Sequence, residues 1–148
     1  MLRLRPHHIL DIVRNIGHER EIKPHEYGHL VHIVTRELLD NINQECQLIV
    51  ENDDICGPCI HLSRNGECTD VLSQLSDRVM KQVYNDALDT RILEHLQIKS
   101  NAIMKVSDYL RIVKCNIETL APICTHPKED VEYRRTGLQD GLRRLRIK

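Results

Sequence analysis

Three cysteines lie close together in one polar segment, at Cys56, Cys59 and Cys68. Cys-x-x-Cys lets two sulfurs point at one centre from a tight turn, and Gly57-Pro58 favours such a turn. The Asn65-Gly66 turn then brings the chain back, so that Cys68 can supply a third thiolate. A helix expected directly after Cys68 would favour a thiolate near its N-terminus. The spacing therefore predicts a metal- or cluster-binding loop.

Cys-Gly-Pro-Cys is also the core of the thioredoxin dithiol, and this is the main alternative for the loop. In a thioredoxin the second cysteine lies in the first turn of a helix, which helps to lower the pKa of the attacking thiol. Here the Asn65-Gly66 turn follows instead, and Ile55 stands where an aromatic residue is usual. The loop is also too polar for its cysteines to be read as core residues. We therefore favour metal binding over a redox dithiol.

A closed zinc site and an iron–sulfur cluster both need a fourth ligand. No second Cys-x-x-Cys is present, so zinc would require a histidine such as His61 or His126. For a cluster, Cys115 falls inside a predicted helix and is assigned to packing, while Cys46 opens a predicted strand. Cys124 lies in an irregular segment between prolines. It is the preferred fourth cysteine.

The composition indicates one domain spanning residues 1–148 with a core of aliphatic side chains, since the chain has no Phe and no Trp. The net charge of -1 gives no support for binding to nucleic acid or to an anionic membrane. No apolar run approaches the ~20 residues that span a bilayer, and the N-terminus makes a poor signal peptide. A cytoplasmic protein is expected, in which six cysteines stay reduced.

The periodicity predicts a mainly α fold, a small helical domain with one short strand and the cysteine-rich loop. Apolar residues at helical spacing indicate a first helix from Pro6 to Gly17 and a second over residues 24–40. Residues 46–52 form the one convincing strand. The helix after Cys68 would carry Val71, Leu75, Val79 and Val83 on its apolar face. Further helices are expected over residues 90–96, over residues 106–120 and after Pro127. The last of these is expected to break near Gly137 and Gly141.

A second group of candidate residues stands at the start of the first helix: Arg5, His7, His8 and Asp11. Such side chains could relay protons near a cluster or bind an anionic substrate. The alternative is an ordinary helix start with caps and surface ion pairs. The residues alone favour the ordinary helix start.

Two further polar groups are interpreted as solvated surface. His25, His29 and His32 share a face of the second predicted helix at a spacing that could bind a metal, but this face lies opposite the apolar stripe. The basic residues of segment 131–148 suit an amphipathic C-terminal end better than an RNA-binding surface.

The motifs together resemble a bacterial and archaeal family, domain-of-unknown-function family number twelve eighty-four. The resemblance rests on "LRLRPHHIL", on "DDICGPC" with the following Cys68, and on "DVLSQLSDRVM", in this order. It extends from Leu2 to Met80 and less closely to Cys124. Members are regarded as iron–sulfur binding proteins, so the resemblance implies a cluster on Cys56, Cys59 and Cys68.

The chain departs from the family pattern at two places. Asp11 stands where members commonly carry a cysteine, after Arg-Pro-His-His and two aliphatic residues. Of a second cysteine-rich patch only Ile123-Cys124 is present. The resemblance therefore leaves the fourth ligand open between Cys124 and Asp11.

The leading hypothesis is a [4Fe-4S] cluster-binding protein with a redox, sensing or cluster-handling role and a redox or cluster-transfer protein as its partner. The first alternative is a cluster-dependent enzyme, with an open iron site and with Arg5, His7 and His8 at the substrate. The second is a structural zinc-binding interaction module. A metal-free dithiol oxidoreductase is a minor fourth interpretation.

Overall fold

The computed structural model of the chain describes residues 1–72 and 79–148. Within them the chain forms six helices and one three-stranded sheet, which confirms the predicted, mainly α fold. In chain order the elements are β1 (Leu2–Leu4), α1 (Pro6–Gly17), α2 (Val31–Asp40), β2 (Glu45–Leu48), α3 (Lys81–Leu96), β3 (Ile103–Lys105), α4 (Val106–Cys115), α5 (Ile117–Cys124) and α6 (Val131–Arg144).

The small sheet has β2 at its centre, parallel to β1 and antiparallel to β3. Leu2 pairs with Cys46 and Leu4 with Leu48, and the side chains of Leu4, Cys46 and Leu48 are fully buried. The strand predicted over residues 46–52 ends at Leu48. Strands β1 and β3 have three residues each, too few to show a period-two pattern in the sequence.

The parallel pairing of β1 and β2 decides where the candidate residues meet. Carboxyl ends of parallel strands lie at the same edge of a sheet, and polar residues that follow them converge there. β1 leads into Arg5 and the start of α1, while β2 leads into Asp53 and the cysteine loop. The backbone N–H of Ile49 donates to the carbonyl of Leu4 at this edge, at 3.0 Å.

Helices α1 and α6 pack so closely that their backbones touch at glycines. A Cβ on Gly141 would lie 2.0 Å from the carbonyl oxygen of Val13, and one on Gly17 would lie 1.9 Å from that of Gly137. The prediction that the last helix breaks near Gly137 and Gly141 is therefore wrong. Helix α6 runs through both, because the missing side chains allow the close approach.

Several predicted helix bounds also change. The helix predicted over residues 24–40 begins only at Val31, and Gly28 before it has a φ of +77° that suits a turn. The segment predicted over residues 106–120 is two helices that part at Asn116. Cys115 ends the first of them and is exposed rather than packed.

The helix expected directly after Cys68 is not found at residues 69–72. Val71 forms an isolated β-bridge with Met80, and α3 begins only at Lys81. The N-terminus that was expected to favour the Cys68 thiolate is therefore not there. Leu75, on the expected apolar face, lies outside the described residues. α3 then continues through residues 90–96, for which the sequence predicts a separate helix.

The helices of the described residues do not combine the length and the apolar character needed to cross a bilayer.

Candidate functional site

A cavity of about 320 Å³ lies at the carboxyl edge of β1 and β2. Five of the chain's nine histidines line it, together with Cys56 and Cys59. Its walls come from the start of α1, the turn before α2, the cysteine loop, the first turn of α3 and His126, which follows α5. The N-terminal histidines and the cysteine loop therefore face one space, although they are far apart in sequence.

The first pair of polar groups at the cavity is His8 and Asp53. Oδ2 of Asp53 accepts hydrogen bonds from His8 Nδ1 at 2.7 Å and from the backbone N–H of Arg5 at 2.8 Å. Oδ1 accepts from the backbone N–H of Ile55 at 3.1 Å. Burial works against the charge on Asp53, but the nearby His8 imidazole outweighs it and lowers the pKa of the carboxyl to about 2. Because Nδ1 of His8 donates to this carboxylate, Nε2 is the nitrogen left for other partners.

The second pair is His7 and Asp89. His7 Nδ1 lies 2.9 Å from Oδ1 of Asp89, and burial lowers the pKa of His7 below its ordinary value although the carboxylate opposes this. Arg5 stabilises the same carboxylate, since its Nη1 donates to Asp89 at 2.8 Å and its Nη2 to Asp86 at 2.7 Å. The Arg5 side chain is fully buried and is not part of the cavity wall. Arg5 therefore positions Asp89 and His7.

The third polar group joins Asp11, His126 and Arg134. Oδ1 of Asp11 accepts from Nη1 of Arg134 at 2.6 Å and lies 3.0 Å from Nε2 of His126. Burial would raise the pKa of Asp11, but Arg134 and His126 hold it well below its usual range. Asp11 lines the cavity, whereas Cys124 does not.

The thiol of Cys124 has partners of its own. Its Sγ accepts from Nε of Arg134 at 3.4 Å and lies 3.6 Å from the carbonyl oxygen of Ala121. Burial raises the pKa of the thiol. Cys124 is the last residue of α5 and fully buried, not on an irregular segment as the sequence indicated. Of the two predicted fourth ligands, only Asp11 therefore shares the cavity with Cys56 and Cys59.

The cysteine loop has the turns that the sequence predicts. The backbone N–H of Cys59 donates to the carbonyl of Cys56 at 3.0 Å, which closes the Cys-x-x-Cys turn. Gly66 has a φ of +79°, and a β-bridge between Leu62 and Cys68 brings the third cysteine back along the loop. Cys56, Cys59 and Cys68 are free and partly exposed. The backbone N–H of Cys68 donates to Oε1 of Gln82 at 2.7 Å, so α3 holds the end of the loop.

The thiol of Cys56 is a poor nucleophile in the metal-free chain. Burial, reinforced by the neighbouring Asp53 carboxylate, raises its pKa to about 12. An attacking thiol of a dithiol oxidoreductase needs the opposite shift. The Cys56 thiol therefore does not suit the attacking position of such an enzyme.

The distances between potential ligand atoms indicate which residues are close enough to bind one metal ion. Among the described residues, His8, Asp53 and Cys56 form the one set of three whose ligand atoms all lie within 4.8 Å of one another. Cys56, Cys59 and Cys68 do not form such a set, so at least one pair of their sulfurs lies more than 4.8 Å apart. A single zinc ion with Zn–S bonds of about 2.3 Å would hold them closer together.

Sequence reasoning missed part of the cavity wall. His25 and His29, interpreted as a solvated helix face, lie in the turn before α2 and line the cavity with their rings stacked at 4.3 Å. Tyr84 and Lys81 join them from the first turn of α3. One signal was available: Asp53 and Asp54 directly follow the strand predicted over residues 46–52, and polar residues after a strand often form sites at the carboxyl edge.

A comparison with protein families matches residues 25–128 to the family described as "Protein of unknown function (DUF1284)". The match contains the whole cysteine loop and begins after the Arg5–His8 segment. No curated protein and no solved structure matches the chain. Since the matched residues make up well over half of the sequence, the resemblance is confirmed, and the chain belongs to the DUF1284 family of proteins of unknown function.

Proposed function

We propose that the chain binds an iron–sulfur cluster of the [4Fe-4S] type on Cys56, Cys59 and Cys68. The observation that carries this proposal is the arrangement of three free thiols on one turn-closed loop, two of them in the wall of a cavity rich in histidine. Thiolates are the ligands on which protein iron–sulfur clusters are built. Such a cluster, when bound, would supply an electron-accepting or oxygen-sensitive group at the carboxyl edge of the sheet.

The electrostatics of the loop support a bound cation rather than a reactive dithiol. The pKa of Cys56, about 12, leaves its thiol neutral near pH 7 unless positive charge is placed beside it. Iron supplies that charge and lowers the cost of the buried thiolate. The role proposed for the centre is therefore redox, sensing or cluster handling.

A partner protein would reach the centre through the exposed side of the loop. Ile60 follows Cys59 directly and is 70% exposed, an apolar contact beside two partly exposed cysteines. Apolar side chains surrounded by polar ones are typical of protein contact surfaces. We propose a redox or cluster-transfer protein as the partner of this surface.

The test is the iron, zinc and acid-labile sulfide content of protein purified without oxygen, together with its visible absorption and its paramagnetic resonance spectrum. A brown protein with iron and sulfide is expected. Cys59→Ser and Cys68→Ser should lose most of the iron, whereas Cys115→Ser should keep it, because Cys115 is exposed at the end of α4. A colourless protein with stoichiometric zinc would instead establish the structural zinc module.

A second candidate is a cluster-dependent enzyme, which the cavity beside Cys56 and Cys59 favours. His7 and His8 line this cavity and each has Nδ1 held by a carboxylate, an arrangement that suits proton transfer. Arg5 would act in it by holding Asp89 rather than by touching a substrate. An iron without a protein ligand binds small anions, so a change in the resonance spectrum on addition of cyanide supports the enzyme, and an unchanged spectrum speaks against it.

A further inference from the structure

We propose that His8 is the fourth protein ligand of the centre, that it binds iron through Nε2, and that Asp53 positions it. This inference rests on the proposed function, because it concerns a ligand of the same cluster. Its basis is spatial: the His8 ring lies beside Cys56, with one of its nitrogens within 4.8 Å of the Cys56 sulfur and of an Asp53 oxygen. Since Nδ1 is the nitrogen that contacts Asp53, the role of iron ligand falls to Nε2 of the same ring. Helix α1 thus presents a nitrogen donor directly beside the cysteine loop.

The two ligands that the sequence suggested are less available. Asp11 is engaged by Nη1 of Arg134 and by Nε2 of His126. Cys124 is fully buried, outside the cavity wall, and accepts from Nε of Arg134. Binding of either to iron would take one partner away from the buried Arg134 guanidinium, which is costly.

Asp53 is close enough to be considered as a ligand, but its oxygens are already occupied. Oδ1 accepts from the Ile55 N–H, and Oδ2 accepts from the Arg5 N–H and from His8 Nδ1. The carboxylate therefore acts on the imidazole. Metal-binding histidines commonly donate their second N–H to a carboxylate, which fixes the ring and makes the other nitrogen a better donor.

The other histidines at the cavity fit the role less well. His126 uses Nε2 to contact Asp11. His7 is only 3% exposed, and no set of closely spaced ligand atoms found among the described residues joins it to a cysteine of the loop. His25 lies exposed at the rim, where its ring stacks on His29. Neither of these two rings belongs to a set of closely spaced ligand atoms with a loop cysteine among the described residues. His8 is the histidine that combines a free nitrogen with proximity to Cys56.

A nitrogen ligand has two consequences for the centre. An imidazole is neutral where a fourth thiolate would be negative, so the reduction potential should lie above that of a centre with four thiolates. All iron atoms would then have protein ligands, which favours electron transfer or sensing over catalysis at an open iron. The ligand identity thus decides between the two candidate functions.

The experiment uses the full chain, loaded anaerobically with ferrous iron and sulfide and studied by pulsed paramagnetic resonance in a paramagnetic state of the cluster. Three samples are compared: the unchanged chain grown with ordinary or 15N-labelled histidine, His8→Ala, and His25→Ala as the matched control from the cavity rim. Circular dichroism confirms that each variant is folded.

A strong nitrogen coupling that changes with 15N-histidine is expected in the unchanged chain and in His25→Ala. It should be absent from His8→Ala, or that folded variant should fail to retain iron. A loaded cluster without such coupling, or a coupling that survives in His8→Ala, overturns the assignment of His8 alone. If the unchanged chain takes up no iron and sulfide, the proposed function fails, and the assignment fails with it.

Discussion

Oδ2 of Asp53 accepts one hydrogen bond from Nδ1 of His8 and another from the backbone N–H of Arg5. The carboxylate belongs to the loop that carries the cysteines. Of the two donors, Arg5 joins β1 to α1 and His8 lies in the first turn of α1. One side chain therefore couples the orientation of a cavity histidine to the position of the cysteine loop. Parallel pairing of β1 with β2 makes this possible, because it sets both segments at the same edge.

Replacement of Asp53 by Asn should weaken metal loading without removing a thiol. The neutral amide of asparagine is a weaker hydrogen-bond acceptor for His8 Nδ1 than the carboxylate is. Loss of such a carboxylate partner typically costs about 10–100-fold in metal affinity. The measurement is iron retention during titration with a chelator. Asp54→Asn is the matched control. Asp54 is exposed, and within the described part of the chain its carboxylate accepts one hydrogen bond, from the backbone N–H of Arg3. Equal iron retention in the two variants would contradict the role given to Asp53.

The features that depend on local sequence patterns were predictable from the sequence. The apolar period and Pro6 indicate α1, and the cysteine spacing with Asn65-Gly66 indicates the loop and its turn. The convergence of His8 with Asp53 was not predictable in this way. It depends on the pairing of β1 with β2, and three-residue strands carry too short a pattern to reveal their partners.

The wrong prediction of a helix break at Gly137 and Gly141 also arises because a tertiary contact is not visible in the sequence pattern. In sequence, Gly137 and Gly141 read as helix breakers, since glycine costs about 1 kcal/mol in a helix interior. In the structure, close packing of α6 on α1 outweighs that cost, and only the tertiary contact shows it.

Gly141→Ala should destabilise the chain strongly. The added methyl group would lie 2.0 Å from the carbonyl oxygen of Val13, so the two helices would have to move apart and lose buried contacts. Overpacking of this kind typically costs about 1–3 kcal/mol or more. Gly57→Ala is the control, because the nearest atom to its added Cβ is 3.7 Å away. Urea unfolding of the metal-free variants should show a clear fall in midpoint for Gly141→Ala and little change for Gly57→Ala.

Asp89→Asn should be among the most damaging polar substitutions. Asp89 is fully buried, forms an ion pair with Arg5 and a hydrogen bond with His7. Its replacement removes the buried negative charge that neutralises the Arg5 guanidinium. Breaking a buried ion pair from one side costs about 3–5 kcal/mol. Asp86→Asn removes a partly exposed partner of the same arginine and should cost much less, about 1 kcal/mol. Urea unfolding at pH 7 measures both.

The contribution of Asp89 to the free energy of unfolding should also depend on pH. Burial raises the pKa of its carboxyl, but His7 and Arg5 outweigh this and lower it below the ordinary value. A depressed carboxyl pKa adds stability that is present above about pH 4 and is lost as the pH falls through the folded value. The difference in unfolding free energy between the unchanged chain and Asp89→Asn should therefore narrow below pH 4. A difference that stays constant from pH 7 to pH 2.5 would contradict the ion-pair account.

In the metal-free chain, Cys56 should react slowly with iodoacetamide although it is partly exposed. With a pKa of about 12, only about one thiol in ten thousand is ionised at pH 8, and the thiolate is the reactive form. The exposed Cys115 should be alkylated well before it. Mass spectrometry of peptides after timed labelling gives both rates.

The rate at Cys56 should rise about tenfold per pH unit between pH 8 and pH 10, because the thiolate fraction rises by that factor below the pKa. Unfolding in urea should bring the rates at Cys56 and Cys115 together, since the burial that raises the pKa of Cys56 is then lost. A Cys56 thiol that reacts faster than Cys115 at pH 7 would contradict the metal-site interpretation. It would show the low-pKa nucleophile of a dithiol oxidoreductase instead, and Cys56→Ser should then abolish disulfide reductase activity while Cys68→Ser leaves it unchanged.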